Sequence, residues 1–385
     1  MQNVDFDVDG NEVISHDPLL IPSLSYFLHE HGSLKPNYWV SIQGTHTERR
    51  TRVVVRDGKR VQENYTVTIV DFDFNIDLSQ LLELDPIFYT VADSVPAYRG
   101  GMRMSAEENG PTNIERRRFV SGDEQDAQEA WLDDSERRGV PPWTIPPSKS
   151  HNQEEKNAER TAKPLASSRS FEDWLVDYCR SKRVIKDFKL SKVIYGWNQN
   201  ALTQSIEELI RSTGYYVSHS HASVHIKFHS SSTCVHVRSP NFVSKIFSSW
   251  VLMTLFSLIL VFPFLWLWRR YWPGAGGKWS VTGVGFPVKK WELLKGTFPG
   301  DTVEAAKARL ASMPVKQKEE EKRLKAEPDG VWILQGTHEG DWFRAWELSI
   351  RLAARDRQRV KWLSRQTLDH ERIDANILAG ELDRL

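Results

Sequence analysis

The sequence predicts an α+β protein with a small antiparallel sheet, packed helices, one transmembrane helix and a helical C-terminal region. Three observations predict this fold. Apolar and polar residues alternate over short segments before residue 98 and between residues 188 and 237, as in half-buried strands. Two stretches carry N-capping residues and an apolar stripe at helical spacing. One run, 246–268, contains no charged residue.

The charge balance and the cysteine content exclude some classes of function. The 385 residues include 51 Lys and Arg and 51 Asp and Glu, so the net charge gives no reason to expect a nucleic acid partner. The two cysteines, Cys179 and Cys234, exclude a disulfide scaffold and an all-cysteine zinc site, and they fit a reducing environment. Lys and Arg outnumber Asp and Glu in the segments that flank 246–268, namely 169–245 and 269–385. This excess favours contact with anionic lipid headgroups or, alternatively, forms solvated faces.

The first 98 residues divide into two predicted parts. Residues 1–36 are acidic and predict a flexible N-terminus, whereas 37–98 predict an N-terminal β segment. Asp57-Gly58 is a hairpin turn signal between the second and third strands. The predicted strands are 38–43, 52–56 and 65–78.

Residues 99–168 predict a disordered linker or insertion. Glycine and proline pairs interrupt a polar, highly charged stretch there. Order resumes in a predicted α+β domain at 169–245, whose elements follow in the order α-β-α-β-β. Ser170 is the expected N-cap of its first helix. We expect the strands of 37–98 to complete the sheet of this domain across the linker.

The uncharged run 246–268 predicts a transmembrane helix. At 1.5 Å per residue its helix is about 34 Å long, against a hydrocarbon core of about 30 Å. Pro263 leaves a second interpretation open, a kinked re-entrant hairpin with both ends on one side of the membrane. Aromatic and basic residues at the ends of the run predict contact with the membrane interface. These residues are Lys245, Trp266, Trp268, Arg269, Arg270, Tyr271 and Trp272.

The orientation in the membrane is predicted from weaker signals. Positive charges close to the two ends of the run are equal in number, so they favour neither orientation. The start of the sequence lacks the basic and apolar pattern of a signal peptide. We therefore expect an integral membrane protein with its N-terminal domain in the cytosol, in a membrane that the sequence does not identify.

Residues 269–385 predict a post-membrane strand followed by a basic helical region. The strand is expected at 278–288, a charged helix or coil at 316–325, and an amphipathic helix at 341–364. Trp342 and Trp346 lie on the apolar side of this last helix. That side could lie in the membrane interface or pack on its own domain.

Asp71 and Asp73 follow an apolar strand and are the strongest catalytic candidates. An aspartate pair after a strand can hold magnesium and attack a phosphoryl group, as in haloacid-dehalogenase-type phosphatases. The alternation continues through Asp77, however, which predicts a half-buried strand with these carboxylates in a solvent-facing ladder. A metal-dependent hydrolase that uses Asp71 and Asp73 therefore remains a secondary hypothesis.

His225, His229 and His236 are candidate metal ligands because they lie on a predicted hairpin. Three convergent imidazoles could hold zinc, and the alternative is a set of exposed polar strand residues. No nucleotide cradle is predicted, since Trp272 stands where a P-loop requires its first glycine before Gly276-Gly277-Lys278. The sequence assigns no catalytic residue and no cofactor.

The sequence resembles a group of fungal single-span membrane proteins to which no activity is assigned. Three features carry the resemblance: the Val-Asp-Phe-Asp-Phe strand end at 70–74, the Ser-Pro-Asn at 239–241 before an aromatic-rich span, and the helix with Trp342 and Trp346. It covers about 37–98, 169–291 and 336–360. Because the group has no known activity, the resemblance implies no catalytic residue, substrate or cofactor.

These observations predict a membrane-anchored interaction or scaffold protein that is not an enzyme. Its expected partners are the lipid bilayer, including anionic headgroups, and a protein that the sequence does not identify. The alternative is a lipid-binding or lipid-sensing domain tethered to a membrane.

Overall fold

The computed structural model describes residues 4–6, 12–15, 21–56, 59–109, 115–144, 167–218, 221–239, 241–258, 260–272, 274–294, 296–311 and 324–365. The chain divides into two compact units, each assembled from three segments. Unit 1 comprises Met1–Pro36, Leu82–Gly196 and Ser231–Gly336, and unit 2 comprises Asn37–Leu81, Trp197–Ser230 and Thr337–Leu385.

The described residues form sixteen strands and ten α-helices. In chain order the strands are β1 (Val4–Phe6), β2 (Glu12–Ser15), β3 (Asn37–Arg56), β4 (Lys59–Asp77), β5 (Ile87–Thr90), β6 (Arg99–Gly101), β7 (Ser105–Asn109), β8 (Glu115–Phe119), β9 (Ile185–Tyr195), β10 (Ser223–Ser231), β11 (Cys234–Arg238), β12 (Gly276–Pro287), β13 (Lys289–Leu293), β14 (Leu324–Glu327), β15 (Gly330–Gly336) and β16 (Arg359–Trp362). The α-helices are α1 (Ile21–Ser33), α2 (Gly122–Arg138), α3 (Phe171–Arg180), α4 (Gln199–Ser212), α5 (Tyr215–Ser218), α6 (Phe242–Ser248), α7 (Trp250–Leu258), α8 (Val261–Tyr271), α9 (Val303–Ala311) and α10 (Glu339–Arg355).

Unit 1 is built on a seven-stranded mixed sheet in the order β1-β2-β11-β9-β12-β5, with β6 also paired to β12. Strand β9 is central: it runs antiparallel to β11 and parallel to β12. Helices α1 and α3 pack on this sheet. Their apolar faces cover buried side chains of β9 and β11, because alternate strand residues point to the same face. This core includes Leu24, Leu28, Trp174, Leu175, Phe188, Leu190, Val235 and Val237.

Helix α3 forms where the sequence predicts it. The Ser170 hydroxyl accepts a hydrogen bond from the Asp173 backbone N–H, and the Asp173 carboxylate accepts one from the Ser170 N–H. This reciprocal capping satisfies two backbone donors that the first helical turn leaves unpaired. The buried face carries Trp174 and Tyr178, and the Tyr178 ring packs edge-on against Phe188 of β9. The predicted helix is confirmed.

Unit 2 contains a four-stranded sheet in the order β10-β3-β4-β16. Strands β3 and β4 form the predicted hairpin, with Arg56 paired to Lys59; the turn signal at 57–58 lies outside the described residues. Helices α4 and α10 pack on each other. The rings of Trp197 and Trp342 lie 5.5 Å apart, and Trp342 is buried, so the apolar side of α10 packs within its own unit.

A β-bulge changes the face to which Asp71 points. Gly44 pairs with Phe72 and Thr45 pairs with Val70, so Asp71 has no partner in the register. The extra residue shifts the alternation, and both Asp71 and Phe72 are buried. The solvent-facing carboxylate ladder predicted from the sequence is therefore wrong at Asp71. A Cβ at Gly44 would lie 2.3 Å from the Phe72 ring, so this site requires glycine.

The expectation of one transmembrane helix at 246–268 is wrong. Among the described residues no single helix is both long and apolar enough to cross a bilayer, and α7 and α8 meet that requirement only as a pair bent by 109°. The sheet gives the physical reason. Strands β11 and β12, which precede and follow the run, both pair with β9 and so lie within about 10 Å of each other, far less than the 30 Å of a hydrocarbon core.

The α+β class is confirmed, but the small antiparallel sheet is wrong, because the largest sheet of the described residues is mixed and they form three smaller sheets as well. Strands β9 and β11 do not share a sheet with β3 and β4, whereas β10 does. The segment 99–168, predicted as a linker, contains β6, β7, β8 and α2. The N-terminal 1–36 contains β1, β2 and α1. The charged helix or coil predicted at 316–325 lies largely outside the described residues.

Candidate functional site

The bent helix pair α7–α8 presents apolar side chains to the outside of unit 1. Leu258 is 78% exposed and Phe264 is 72% exposed. Isolated exposed apolar residues are common on protein surfaces, but a contiguous patch marks an interaction site. Further exposed members of this patch are Trp250, Val251, Leu255, Leu260, Trp266, Leu267, Tyr271 and Trp272.

Basic and aromatic side chains border the end of this pair. The guanidinium of Arg269 lies 4.7 Å from the centre of the Phe247 ring, and that of Arg270 lies 5.7 Å from the Trp266 ring. Such cation–π contacts bring a charge and an apolar surface together, as at a membrane interface. Six of the predicted interface residues lie together at one end of α8, whereas Lys245 lies in α6. The six are Trp266, Trp268, Arg269, Arg270, Tyr271 and Trp272.

The end of α8 packs closely on the sheet. A Cβ at Gly276 would lie 2.5 Å from the carbonyl oxygen of Arg269, so the first residue of β12 must be glycine for the helix and strand to approach this closely. The Arg183 guanidinium donates to the Gly276 carbonyl and adds a second link. The bent pair is therefore attached to the sheet at the same place where the basic side chains gather.

A cleft beside this attachment is lined by arginines, and we refer to it as the arginine cleft. It has a volume of about 360 Å³. Its walls are β6, the β7–β8 hairpin, the end of α3 and β12. Among the residues that the structure describes, Asp177 is the only carboxylate in the lining. The arginines are Arg99, Arg103, Arg117, Arg180 and Arg183.

Arg99 is the buried base of the arginine cleft. It is 2% exposed, and its guanidinium donates to the carbonyls of Ala92, Val95 and Ser105. Its Nε lies without a hydrogen-bond partner in the described part of the chain. Burial lowers the pKa of Arg99, because removing the guanidinium from water disfavours its charged form. A nearby anion would stabilise that charge.

Two other arginines of the cleft are available to a ligand. Arg103 follows β6 and Arg180 ends α3, and both side chains are exposed. Neither forms a hydrogen bond or ion pair with any group in the described ranges. Arg117, in contrast, has its Nη2 3.4 Å from the Glu107 carboxylate. The only carboxylate in the lining, Asp177, accepts a hydrogen bond from the Trp279 indole at 2.8 Å.

A second cavity of about 270 Å³ adjoins the arginine cleft and shares four lining residues with it, namely Gly101, Arg103, Phe119 and Arg183. It also contacts the end of α8 and is lined by Arg269, Arg270, Tyr271 and Trp272. The arginine cleft is thus continuous with the basic end of the bent pair.

A buried charged cluster lies on β9 and β11 of unit 1. The Asp187 Oδ1 lies 2.9 Å from His236 Nδ1 and 3.5 Å from Arg238 Nε. Burial opposes ionisation of Asp187, but His236, Arg238 and Arg269 outweigh it and hold the pKa of Asp187 at about 2. For Cys234 too, burial opposes ionisation, but His236, Lys189 and Thr233 together outweigh it and lower the pKa of the thiol.

Unit 2 contains a separate buried cluster around Asp71. The Oδ2 of Asp71 lies 2.7 Å from His46 Nδ1 and accepts a 2.8 Å hydrogen bond from the Tyr215 hydroxyl. The hydrogen bond to Asp71 raises the pKa of His46 above its usual value. Asp73 instead accepts from the Gln43 amide at 3.2 Å. The Oδ2 of the first candidate catalytic aspartate is thus in contact with two protein side chains.

The candidate metal ligands lie in different settings. His225 and His229 are on β10 in unit 2, where the His229 ring stacks on Trp39 at 5.5 Å. His236 is on β11 in unit 1 and contacts Asp187. Within the described ranges, no group of three or more His, Cys, Asp and Glu residues has the geometry to hold a metal ion.

Sequence reasoning missed the arginine cleft. Three of its arginines, Arg99, Arg103 and Arg117, come from the segment predicted as a linker. The capping pair Ser121 and Glu124 at the start of α2 was a local signal that this segment folds.

Comparison with known proteins gives no match to a family model, to a curated protein or to a solved structure. The resemblance to fungal single-span membrane proteins therefore stays a prediction.

Proposed function

We propose that the protein is a lipid-binding protein that attaches unit 1 to the surface of an anionic membrane. In this proposal the bent pair α7–α8 enters one leaflet and leaves it on the same side, and the basic residues around its end contact lipid headgroups. The observation that carries the proposal is that an exposed apolar helix pair begins and ends at strands of one sheet.

The energetics favour insertion of the pair. Transferring a fully exposed Leu or Phe side chain out of water contributes about 1.5–3 kcal/mol, and the patch contains many such side chains. The exposed Arg270, at the end of α8, adds about 1 kcal/mol when its charge approaches an anionic surface. Apolar insertion and charge attraction therefore act at the same end of unit 1.

The hypothesis of an interaction scaffold stays a prediction because it names no partner. The hypothesis of a metal-dependent hydrolase at Asp71 and Asp73 stays a prediction. Asp71 is buried, and its Oδ2 contacts His46 and Tyr215. That the protein is not an enzyme, and that it faces the cytosol, likewise remain predictions.

Vesicle flotation of the full chain tests the proposal. We expect binding to vesicles of phosphatidylcholine and phosphatidylserine, and loss of this binding in the Leu258→Ser/Phe264→Ser variant. Each substitution removes an exposed apolar side chain from the inserted pair and should weaken binding at least about tenfold.

The matched control is Tyr26→Ser/Val217→Ser, which removes two similarly exposed apolar side chains elsewhere. It should bind like the unchanged protein. Equal binding by all three proteins, or no binding of the unchanged protein to any vesicle, would contradict the proposal. Circular dichroism of each variant checks that its fold is retained.

A further inference from the structure

We propose that the arginine cleft binds a ligand that carries at least two phosphate groups, of the kind presented by polyphosphorylated inositol headgroups. For a lipid ligand this inference rests on the proposed function, whereas the chemistry of recognition rests on the cleft alone. Membrane insertion by α7–α8 requires no phosphate, so the two ideas are separable by experiment.

The charge of the cleft selects for a multiply charged anion. Its lining holds five arginines and one carboxylate among the described residues, and that carboxylate, Asp177, already accepts the Trp279 indole N–H. A phosphate monoester carries about −1.5 to −2 charges near neutral pH. Glu107 is paired with Arg117, and Asp177 offsets a second arginine, so about three of the five arginine charges remain. Two phosphates match these charges better than a headgroup with a single negative charge.

The arrangement of donors suits phosphate oxygens. Arg99 is fixed by three backbone carbonyls, so its charge is held in place at the base of the cleft. Arg103 and Arg180 come from different elements and have no protein partner in the described ranges. A guanidinium presents parallel N–H donors that match phosphate oxygens in pairs. One fixed and two available arginines can therefore hold more than one phosphate.

The size and position of the cleft favour a headgroup over an acyl chain. Its volume of about 360 Å³ is at the lower end of the range of about 300–1,000 Å³ for small-molecule sites. The adjoining cavity leads to Arg270, Tyr271 and Trp272 at the end of the bent pair. A headgroup in the arginine cleft would thus lie beside the apolar surface that we propose to enter the leaflet.

The test compares binding of the full chain to two kinds of phosphatidylcholine vesicle with equal total negative charge. One contains phosphatidylinositol bisphosphate and the other contains phosphatidylserine. We expect tighter binding to the bisphosphate vesicles. The Arg103→Gln/Arg180→Gln variant should lose this preference, by about fivefold for each arginine.

The matched control is Arg137→Gln/Arg211→Gln, which removes the same charge from exposed surface pairs with Asp133 and Glu207. It should retain the preference for bisphosphate. Equal binding of the unchanged protein to both vesicle types, or equal losses in the two variants, would overturn the assignment of a lipid headgroup to the cleft while leaving membrane binding intact.

Titration with soluble inositol trisphosphate separates the two sources of the ligand. Binding that the cleft variant weakens and the control variant retains would support a phosphate site, even if no vesicle binds. Competition by this compound against bisphosphate vesicles would assign the lipid headgroup to the same cleft. Failure of both inositol trisphosphate and bisphosphate vesicles to distinguish the cleft variant from the control would overturn the inference.

Discussion

The bent pair α7–α8 and helix α10 contain similar residues, but the pair exposes them and α10 buries them. Both carry tryptophans and long apolar side chains, and both are candidates for membrane contact from sequence. In α10 the side chains are covered, with Trp342 3% exposed and Phe343 0% exposed. In the pair, Leu258 and Phe264 are largely exposed. The difference shows that an aromatic stripe alone does not indicate a membrane surface.

The polar face explains the difference. Helix α10 has an apolar face and a charged face, because its charged residues recur at helical spacing. One of them, Arg351, pairs with Glu347 one turn earlier. A helix with one polar face buries the other face in its own unit. The described residues of α7 include no charged side chain, and those of α8 include charge only at Arg269 and Arg270. Such helices have no face that prefers water.

The largest expected effect lies in α10. The Phe343→Ala substitution should lower the free energy of unfolding of unit 2 by about 3–5 kcal/mol, because it leaves a cavity where a fully buried ring was. Hydrogen exchange measured by mass spectrometry reports unit 2 separately from unit 1.

The contrasting substitution is Phe264→Ala in the bent pair, which should leave the exchange rates of both units unchanged in solution. If the Phe343→Ala variant keeps the same protection from hydrogen exchange in unit 2, the comparison is wrong, because the buried face of α10 would then not stabilise unit 2.

A smaller effect is expected of pH on the stability of the unit 1 sheet, to which the bent pair is attached. Asp187 is held at a pKa of about 2 against an ordinary value of 3.8, so its ionised form is stabilised by folding. This contribution is present above about pH 4 and is lost as the pH falls towards 2, and it amounts to about 2 kcal/mol. The groups that face Asp187 are His236, Arg238, Arg269 and Lys278.

The Asp187→Asn variant tests this contribution. Its unit 1 should be less protected from hydrogen exchange than that of the unchanged protein at pH 6, and the difference should shrink between pH 4 and pH 2. Unit 2 should exchange alike in both proteins at each pH. A difference between the two proteins that does not depend on pH would show that the Asp187 charge contributes nothing.

Sequence patterns over a few neighbouring residues predicted the elements whose structure is set by those residues alone. The β3–β4 hairpin followed from alternation and a turn signal, and α3 followed from its capping residues. The burial of Asp71 could not be predicted, because one bulged residue reverses the alternation. Local patterns are reliable only where the register stays regular.

The bent pair and the arginine cleft depend on contacts between distant residues. The composition and length of 246–268 are those of a membrane span. Neither property predicts that β11 and β12, on either side of this run, both pair with β9. Likewise, Arg99 reaches the cleft because β6 pairs with β12, far along the chain. A polar, charged segment can fold when a distant strand supplies its hydrogen bonds.

The central claim is that the chain enters and leaves the membrane on the same side. Cys179 and Cys234 are first replaced by serine. The single substitutions Lys182→Cys and Glu292→Cys then place one label before the bent pair and one after it, both at exposed positions. Intact membrane vesicles are treated with a maleimide that cannot cross the bilayer. We predict that both positions react, or that both are protected. Reaction at one position with protection of the other would contradict the account and restore a membrane-spanning segment.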